Sequence, residues 1–240
     1  MKLMILSDIH GNLTALDRVL TDAEVFRPDA LALLGDLIDY GMRSNEVVER
    51  IRKIDLPVVC SVWGNHEQSI LTEDYTRFSS PRGAESARHT AAGLTQETRA
   101  FLDTIPGKCG MMKFTWEGYS FLALHGSLTD PYWKSILPEG DKDGYEIFDY
   151  VLSGHSHLPH VFAHFYEAND PVMRNKKRTV FINPGSVGQP RNHDPRAQYA
   201  ILDMEEGVSL RSVPYDVAAE QALFTDAVDA FYRERLEKGV

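Results

Sequence analysis

The chain has 240 residues, 43% apolar and 25% charged, ordinary proportions for a soluble globular protein with a sizeable core. Its 35 acidic residues outnumber 25 basic ones, and the resulting formal charge of −10 argues against a nucleic-acid backbone or an anionic membrane as partner. No stretch approaches the ~20 apolar residues that span a bilayer, and Leu3–Leu6 is too short for a signal-peptide apolar region, so a cytoplasmic protein is expected.

In chain order, the first apolar run, Met1–Leu6, reads as a buried strand. Leu13, Leu16, Val19 and Leu20 then share a helical face, with Asn12 as N-cap. A second strand is expected at Leu31–Leu34, a helix from Ser44 to about Ile54 (Val47, Val48 and Ile51 on one face), and a third strand at Val58–Val62 after Pro57. This βαβαβ start implies right-handed crossovers and a parallel core. Residues 68–108 are polar and read as a helical insertion with a loop at Ser79–Gly83, either a lid or substrate-facing wall or an ordinary pair of surface helices.

From Met111 onward strands dominate. Met111–Trp116 and Tyr119–Leu124 flank the hairpin signal Glu117-Gly118, and further strands are expected at Tyr150–Leu152, Val161–Tyr166, Thr179–Ile182, Gln198–Leu202 and Val208–Val213. Asn169–Arg178 reads as a solvated hairpin end, and Val217–Leu236 as one closing amphipathic helix carrying Val217, Phe224, Val228 and Phe231 on one face. Cys60 and Cys109 belong to no CxxC pair, which favours structural thiols over a disulfide. The expectation is a single α/β domain, 1–240, with two packed sheets and outer helices.

Five short motifs end apolar runs: Ser7-Asp8-Ile9-His10-Gly11-Asn12, Gly35-Asp36-Leu37-Ile38-Asp39, Gly64-Asn65-His66-Glu67, His125-Gly126 and Gly154-His155-Ser156-His157. Strand ends deliver side chains to the crevice at one edge of a sheet. Asp8 and His10 can aim at one ion, the two oxygens of Asp36 suit a bridge, Asn65 offers a neutral carbonyl, and His125, His155 and His157 offer imidazole nitrogens. Oxygen and nitrogen donors without thiolate favour manganese, iron, zinc, cobalt or nickel over calcium or a Cys-rich zinc site. Bound cations would also offset part of the acidic charge, which leaves room for an anionic substrate. Each motif alone is weak; five in order at strand ends are not. His89, His160, His164 and His193 lack such context and are expected at the surface or in packing.

Together the motifs resemble the calcineurin-like metallophosphoesterase superfamily, whose pattern is Asp-x-His, Gly-Asp, Gly-Asn-His-Asp/Glu, His and Gly-His-x-His. His125-Gly126-Ser127 with Asp130-Pro131, and the stretch from Asn183 to Arg191, narrow the resemblance to its small bacterial phosphodiesterases of the diadenosine tetraphosphatase-like subgroup. The resemblance implies a four-layer αββα sandwich of two mostly mixed sheets flanked by helices. It also implies one ion on Asp8, His10, Asp36 and His157, and a second on Asp36, Asn65, His125 and His155. Two ions ~3.5–4 Å apart would share a hydroxide that attacks phosphorus in line. His66 would serve the leaving oxygen as proton donor, oriented by Asp39, for which an N-cap or turn role is the alternative.

The family's protein phosphatases carry a phosphate-gripping arginine where Tyr40 stands, which disfavours a phosphoprotein substrate. Arg191 is either a substitute phosphate contact or half of a surface salt bridge. Tyr132 and Trp133 could stack on a base, but packing is the expected role, as it is for Trp63. The expected function is dimetal-dependent hydrolysis of phosphodiesters or phosphoanhydrides in small nucleotide-like substrates. The alternatives are a catalytically inactive interaction scaffold of the same fold and a manganese-dependent nuclease.

Overall fold

The structure, a computed structural model, describes residues 1–240. Its strands are short apolar runs whose alternate side chains go to opposite faces. β1 (Lys2–Leu6), β2 (Ala30–Leu33) and β3 (Val58–Ser61) pair in parallel, with β2 in the middle. The expected helices α1 (Leu13–Ala23) and α2 (Ser44–Arg52) connect them, and Asn12 caps α1 by accepting a hydrogen bond from Ala15 N at 3.0 Å. Two antiparallel strands, β9 (Ala197–Asp203) and β10 (Gly207–Val213), complete the sheet in the order β10-β9-β1-β2-β3.

The second sheet is assembled on the same plan. β5 (Tyr119–Leu124), β6 (Tyr150–Leu152) and β8 (Lys176–Asn183) are parallel, and the antiparallel strands β4 (Met111–Trp116) and β7 (His160–Glu167) close its two edges. Leu3, Ile5, Ala32 and Leu34 meet Phe121, Ala123, Leu152 and Ile182 between the sheets. The opposite face of the first sheet, including Met4, Leu6, Leu31 and Leu33, packs on Leu16, Val19, Val47 and Ile51 of α1 and α2. Each such side chain contributes about 1.5–3 kcal/mol by leaving water. The outer face of the second sheet, with Leu122, Leu124, Val151 and Phe181, is covered by Ile136, Tyr145 and Phe148 from the irregular 127–149 segment. The result is an α/β sandwich of two mixed sheets flanked by helices.

Between β3 and β4 lie α3 (Asn65–Thr72), α4 (Pro81–Gly93) and α5 (Gln96–Thr104). The loop expected at Ser79–Gly83 ends early, because Ser80 caps α4 with Pro81 in its first turn. A larger correction concerns the C-terminal segment. The single helix expected over Val217–Leu236 is two, α6 (Val217–Gln221) and α7 (Ala230–Lys238). Asp229 starts α7 afresh by accepting from Phe231 N at 2.9 Å. Phe224, Val228 and Phe231, which suggested one continuous face, still gather in one cluster, with Tyr40 and Tyr232. Both cysteines are free thiols, Cys60 buried and Cys109 exposed.

Candidate metal centre

Six parallel strands, three per sheet, run their C-terminal ends toward one seam. The turn after β1 supplies Asp8 and His10, the turn after β2 supplies Asp36, and Asn65 opens α3 directly after β3. His125 follows β5, His155 and His157 follow β6, and the loop after β8 leads to Arg191. To aim side chains inward so soon after a strand, Asp8, His10, Asp36, His155 and His157 adopt left-handed backbone, with φ of 53°, 49°, 52°, 62° and 57°. Asp and His enter this region more readily than branched residues do, at a cost of about 1 kcal/mol each. Gly64 is required by closeness: a side chain there would collide with the Asp36 carboxylate and backbone nitrogen.

The ligand atoms of Asp8, His10, Asp36 and His157 lie within 4.8 Å of one another, and so do those of Asp36, His125 and His155. Asp36 belongs to both groups. Its Oδ2 is 3.2 Å from His125 Nε2 and 3.6 Å from His10 Nε2. Asn65 Oδ1 lies 3.0 Å from His125 Nε2 and 2.9 Å from His155 Nδ1, which adds an amide oxygen to the second group.

The outward nitrogens of the four histidines set the inward ones. His10 Nδ1 donates to Ile38 O at 3.2 Å, His125 Nδ1 to Leu34 O at 2.7 Å, His155 Nε2 to Trp133 O at 3.1 Å, and His157 Nδ1 to Gln189 O at 2.5 Å. A carbonyl only accepts, so each ring commits a proton outward, and in the neutral ring the other nitrogen presents its lone pair to the centre. Metal-binding histidines are oriented in this way. Two of those lone pairs, on His10 and His157, face each other at 3.3 Å, and Asp8 Oδ1 is buried there with no hydrogen-bond partner. Opposed lone pairs and an orphaned carboxylate oxygen call for a cation between them. The residues fit divalent metal.

The electrostatics point the same way. Burial disfavours charge on Asp36, but His125 and His66 beside it outweigh burial and hold its carboxyl well below the usual range. Asp8 is held low likewise, chiefly by His157. Burial pushes His155 down to about 3 and His157 to about 4, and it also lowers His10, so these rings are neutral, as ligands must be. At His125 burial loses to the Asp36 charge, and the ring is lifted to about 9. A proton on His125 and a cation at the centre answer the same local excess of negative charge.

His66 stands beside this cluster. Its Nδ1 donates to Asp39 Oδ2 at 2.6 Å, and its Nε2 lies 3.9 Å from Asp36 Oδ2. Burial lowers its basicity, but Asp36 and Asp39 together raise it above the ordinary imidazole value. Asp39 Oδ1 accepts from Ser86 Oγ at 2.7 Å and Thr90 Oγ1 at 2.8 Å, so α4 holds the residue that holds His66.

Several functional positions were not assigned from sequence. Glu67 accepts from four backbone nitrogens: Leu37 at 2.7 Å, Asp36 and Gly64 at 2.8 Å, and Ile38 at 3.3 Å. It fixes the turn that carries Asp36; its place as the fourth residue of Gly64-Asn65-His66-Glu67 was the available signal. The four-residue spacing of Ser86 and Thr90 placed them on one helix face. Trp133, expected in packing, instead lines the cavity in front of the ligands, edge-on to Phe78 at 5.3 Å. Trp63 is buried, with Nε1 donating to Leu102 O at 2.8 Å, as expected. Arg191 lines the same cavity, of about 730 Å³, and forms no salt bridge. His89, His164 and His193 are exposed and His160 is half-buried.

The sequence profile of the calcineurin-like phosphoesterase superfamily domain matches residues 1–207. The chain belongs to that superfamily. It is accordingly a metal-dependent phosphoesterase hydrolase. Protein MJ0912 of Methanocaldococcus jannaschii is 30% identical over 243 residues, covering 98% of this chain and 97% of its own. Phosphodiesterase YfcE of Escherichia coli is 28% identical over 214 residues, covering 85% and 88%. Among solved structures, a metallophosphoesterase from Sphaerobacter thermophilus superposes with a TM-score of 0.75 at 30% identity, covering 100% of this chain and 99% of that one. The sandwich described above is thus the calcineurin-like fold. No helix is long and apolar enough to cross a membrane.

Proposed function

We propose that the chain hydrolyses phosphodiester or phosphoanhydride bonds of small, nucleotide-like molecules, with two divalent cations, manganese foremost. One observation carries the reading: four histidines, each anchored outward on a backbone carbonyl, converge around the shared carboxylate of Asp36. Asp8, His10, Asp36 and His157 would hold one ion, and Asp36, Asn65, His125 and His155 the other. Bound there, the ions would acidify water and neutralise charge growing on phosphoryl oxygens.

The protein's own groups do the rest. His66, with its Nδ1 proton committed to Asp39, presents Nε2 to the cavity and delivers a proton to the departing oxygen. Arg191 grips a phosphate oxygen pair. Tyr40 fills the place of the phosphatase arginine and packs between His10 and Tyr232, at ring distances of 4.6 and 4.3 Å, which disfavours a phosphoprotein substrate. Similarity to a protein named as a phosphodiesterase supports the diester side of the reading. In this reading residues 1–240 act as one cytoplasmic catalytic domain, and 68–108 is its substrate-facing insertion.

The test is manganese-dependent turnover of bis(p-nitrophenyl) phosphate with metal content measured on the same sample. Turnover with bound metal is expected. A protein that takes up no metal and turns nothing over would favour the scaffold role instead.

A further inference from the structure

His66 sits in a cage built partly by the 68–108 insertion. Its ring meets Phe78 edge-on at 5.2 Å, Tyr40 at 4.5 Å and His10 at 4.8 Å, while Asp39 fixes its rotation through Nδ1. Asp39 is itself fully buried, and no lysine or arginine nitrogen comes within 4.0 Å of its carboxylate. Beyond His66, the donors to that carboxylate are two hydroxyls of α4, Ser86 Oγ and Thr90 Oγ1, both on Oδ1.

Ser and Thr inside a helix can return their proton to a carbonyl one turn back. Here each gives its single proton to Asp39 instead, from positions four apart on one helix face. Both are buried, at 1% and 8% exposure. The terminal torsion of an aspartate is otherwise soft. Two charge-assisted bonds to one oxygen stiffen it, so the other oxygen stays aimed at His66 Nδ1.

The helix that supplies them is anchored at both ends of its span. Ala87 enters the main core, and Asn45 of α2 grips the far end by donating to Gly93 O at 2.9 Å and accepting from Thr95 N at 3.0 Å. The near end carries Ser80 and Arg82 to the wall of the cavity. We propose that Ser86 and Thr90 are positioning residues for the hydrolysis, holding His66 in line with the departing oxygen through Asp39. The insertion then works as a fixed strut during turnover, and not as a lid that opens. The proposal rests on the phosphoesterase reading, with His66 as its proton donor.

The experiment compares diphenyl phosphate, whose leaving group needs a proton, with bis(p-nitrophenyl) phosphate, whose leaving group departs readily without one. Manganese-loaded wild type, Ser86→Ala, Thr90→Val and Thr90→Ser are assayed on both. Turnover of diphenyl phosphate is expected to fall at least roughly tenfold in Ser86→Ala and Thr90→Val, against less than about threefold for the nitrophenyl ester. The loss is expected in kcat, with KM and metal content kept, and Thr90→Ser, which retains the hydroxyl, should recover the wild-type ratio. An equal loss on both esters, or a loss of bound metal, would make the hydroxyls merely structural and overturn the proposal. A second readout needs no turnover. In zinc-loaded protein the His66 Nδ1 proton, held by Asp39 over 2.6 Å, should give a downfield magnetic-resonance signal that His66→Gln abolishes. That signal is expected to move in Thr90→Val and to stay in Thr90→Ser; an unmoved signal overturns the proposal by itself. Thr90→Val preserves the shape of the residue, so it decides the matter if Ser86→Ala fails to fold. A wild type that turns over neither ester counts against the phosphoesterase reading, whereas an unchanged ratio between the esters counts only against the positioning role.

Discussion

From the first sheet the centre takes both carboxylates, the amide and one imidazole: Asp8, Asp36, Asn65 and His10. From the second it takes three imidazoles, His125, His155 and His157, and no acid. Both carboxylates therefore lie on one side of the seam and only imidazole nitrogens on the other. A few hydrogen bonds already cross it: His155 N to Asp8 Oδ2 at 3.2 Å, Ser186 Oγ to Asp8 O at 2.7 Å and Val187 N to Ser7 O at 3.1 Å. The difference teaches that cations in the seam would tie the sheets as well as do chemistry, and that the two sheets are unequal partners in holding them.

The largest effect should come from Asp36→Ala. It is expected to remove both ions and cut turnover more than about a thousandfold, whereas His125→Ala leaves roughly one ion bound. Atomic absorption on both variants checks this, and equal metal loss would erase the asymmetry between the sheets. Glu67→Ala strands the four nitrogens that shape the Asp36 turn, and should cost about 3–5 kcal/mol in urea unfolding. A cost below 1 kcal/mol would mean the turn holds itself.

Chelation should lower stability by about 3 kcal/mol for each ion removed, relative to protein held at a hundredfold excess of metal over its dissociation constant, reversibly on adding manganese. An unchanged melting temperature would show that the hydrogen bonds across the seam suffice without metal. His66→Gln should slow turnover about a hundredfold while metal content is kept; lost metal would make His66 a ligand. Smallest of all, Val172→Ser at the β7–β8 end, where Val172 is 90% exposed, should move stability by less than about 0.5 kcal/mol.

What could be read in the sequence was what is local. Ligands sit within a few residues of strand ends, and strands show themselves as apolar runs, so Asp8, Asp36 and His125 stood out together with the strands that carry them. Asn12 and Pro57 marked helix and strand boundaries for the same reason. What stayed hidden depends on contacts far apart in the chain. Ser86 and Thr90 reach Asp39 across 47 and 51 residues, and neither type signals such a role alone. The break before α7 was masked because Phe224, Val228 and Phe231 meet the same cluster from a turn as they would from one helix.

The left-handed backbone at Asp8, His10, Asp36, His155 and His157 has a consequence for how such a sequence can drift. Mutations at these positions are filtered twice, once by chemistry and once by torsion. Asn and Gly pass the torsional filter and fail only the chemical one, while Val, Ile and Thr fail both. A lineage that abandoned catalysis would therefore lose its ligands through Asn or Gly, with the loops still in place. An Asp-to-Asn exchange in a related chain would mark lost activity in a fold that is otherwise intact.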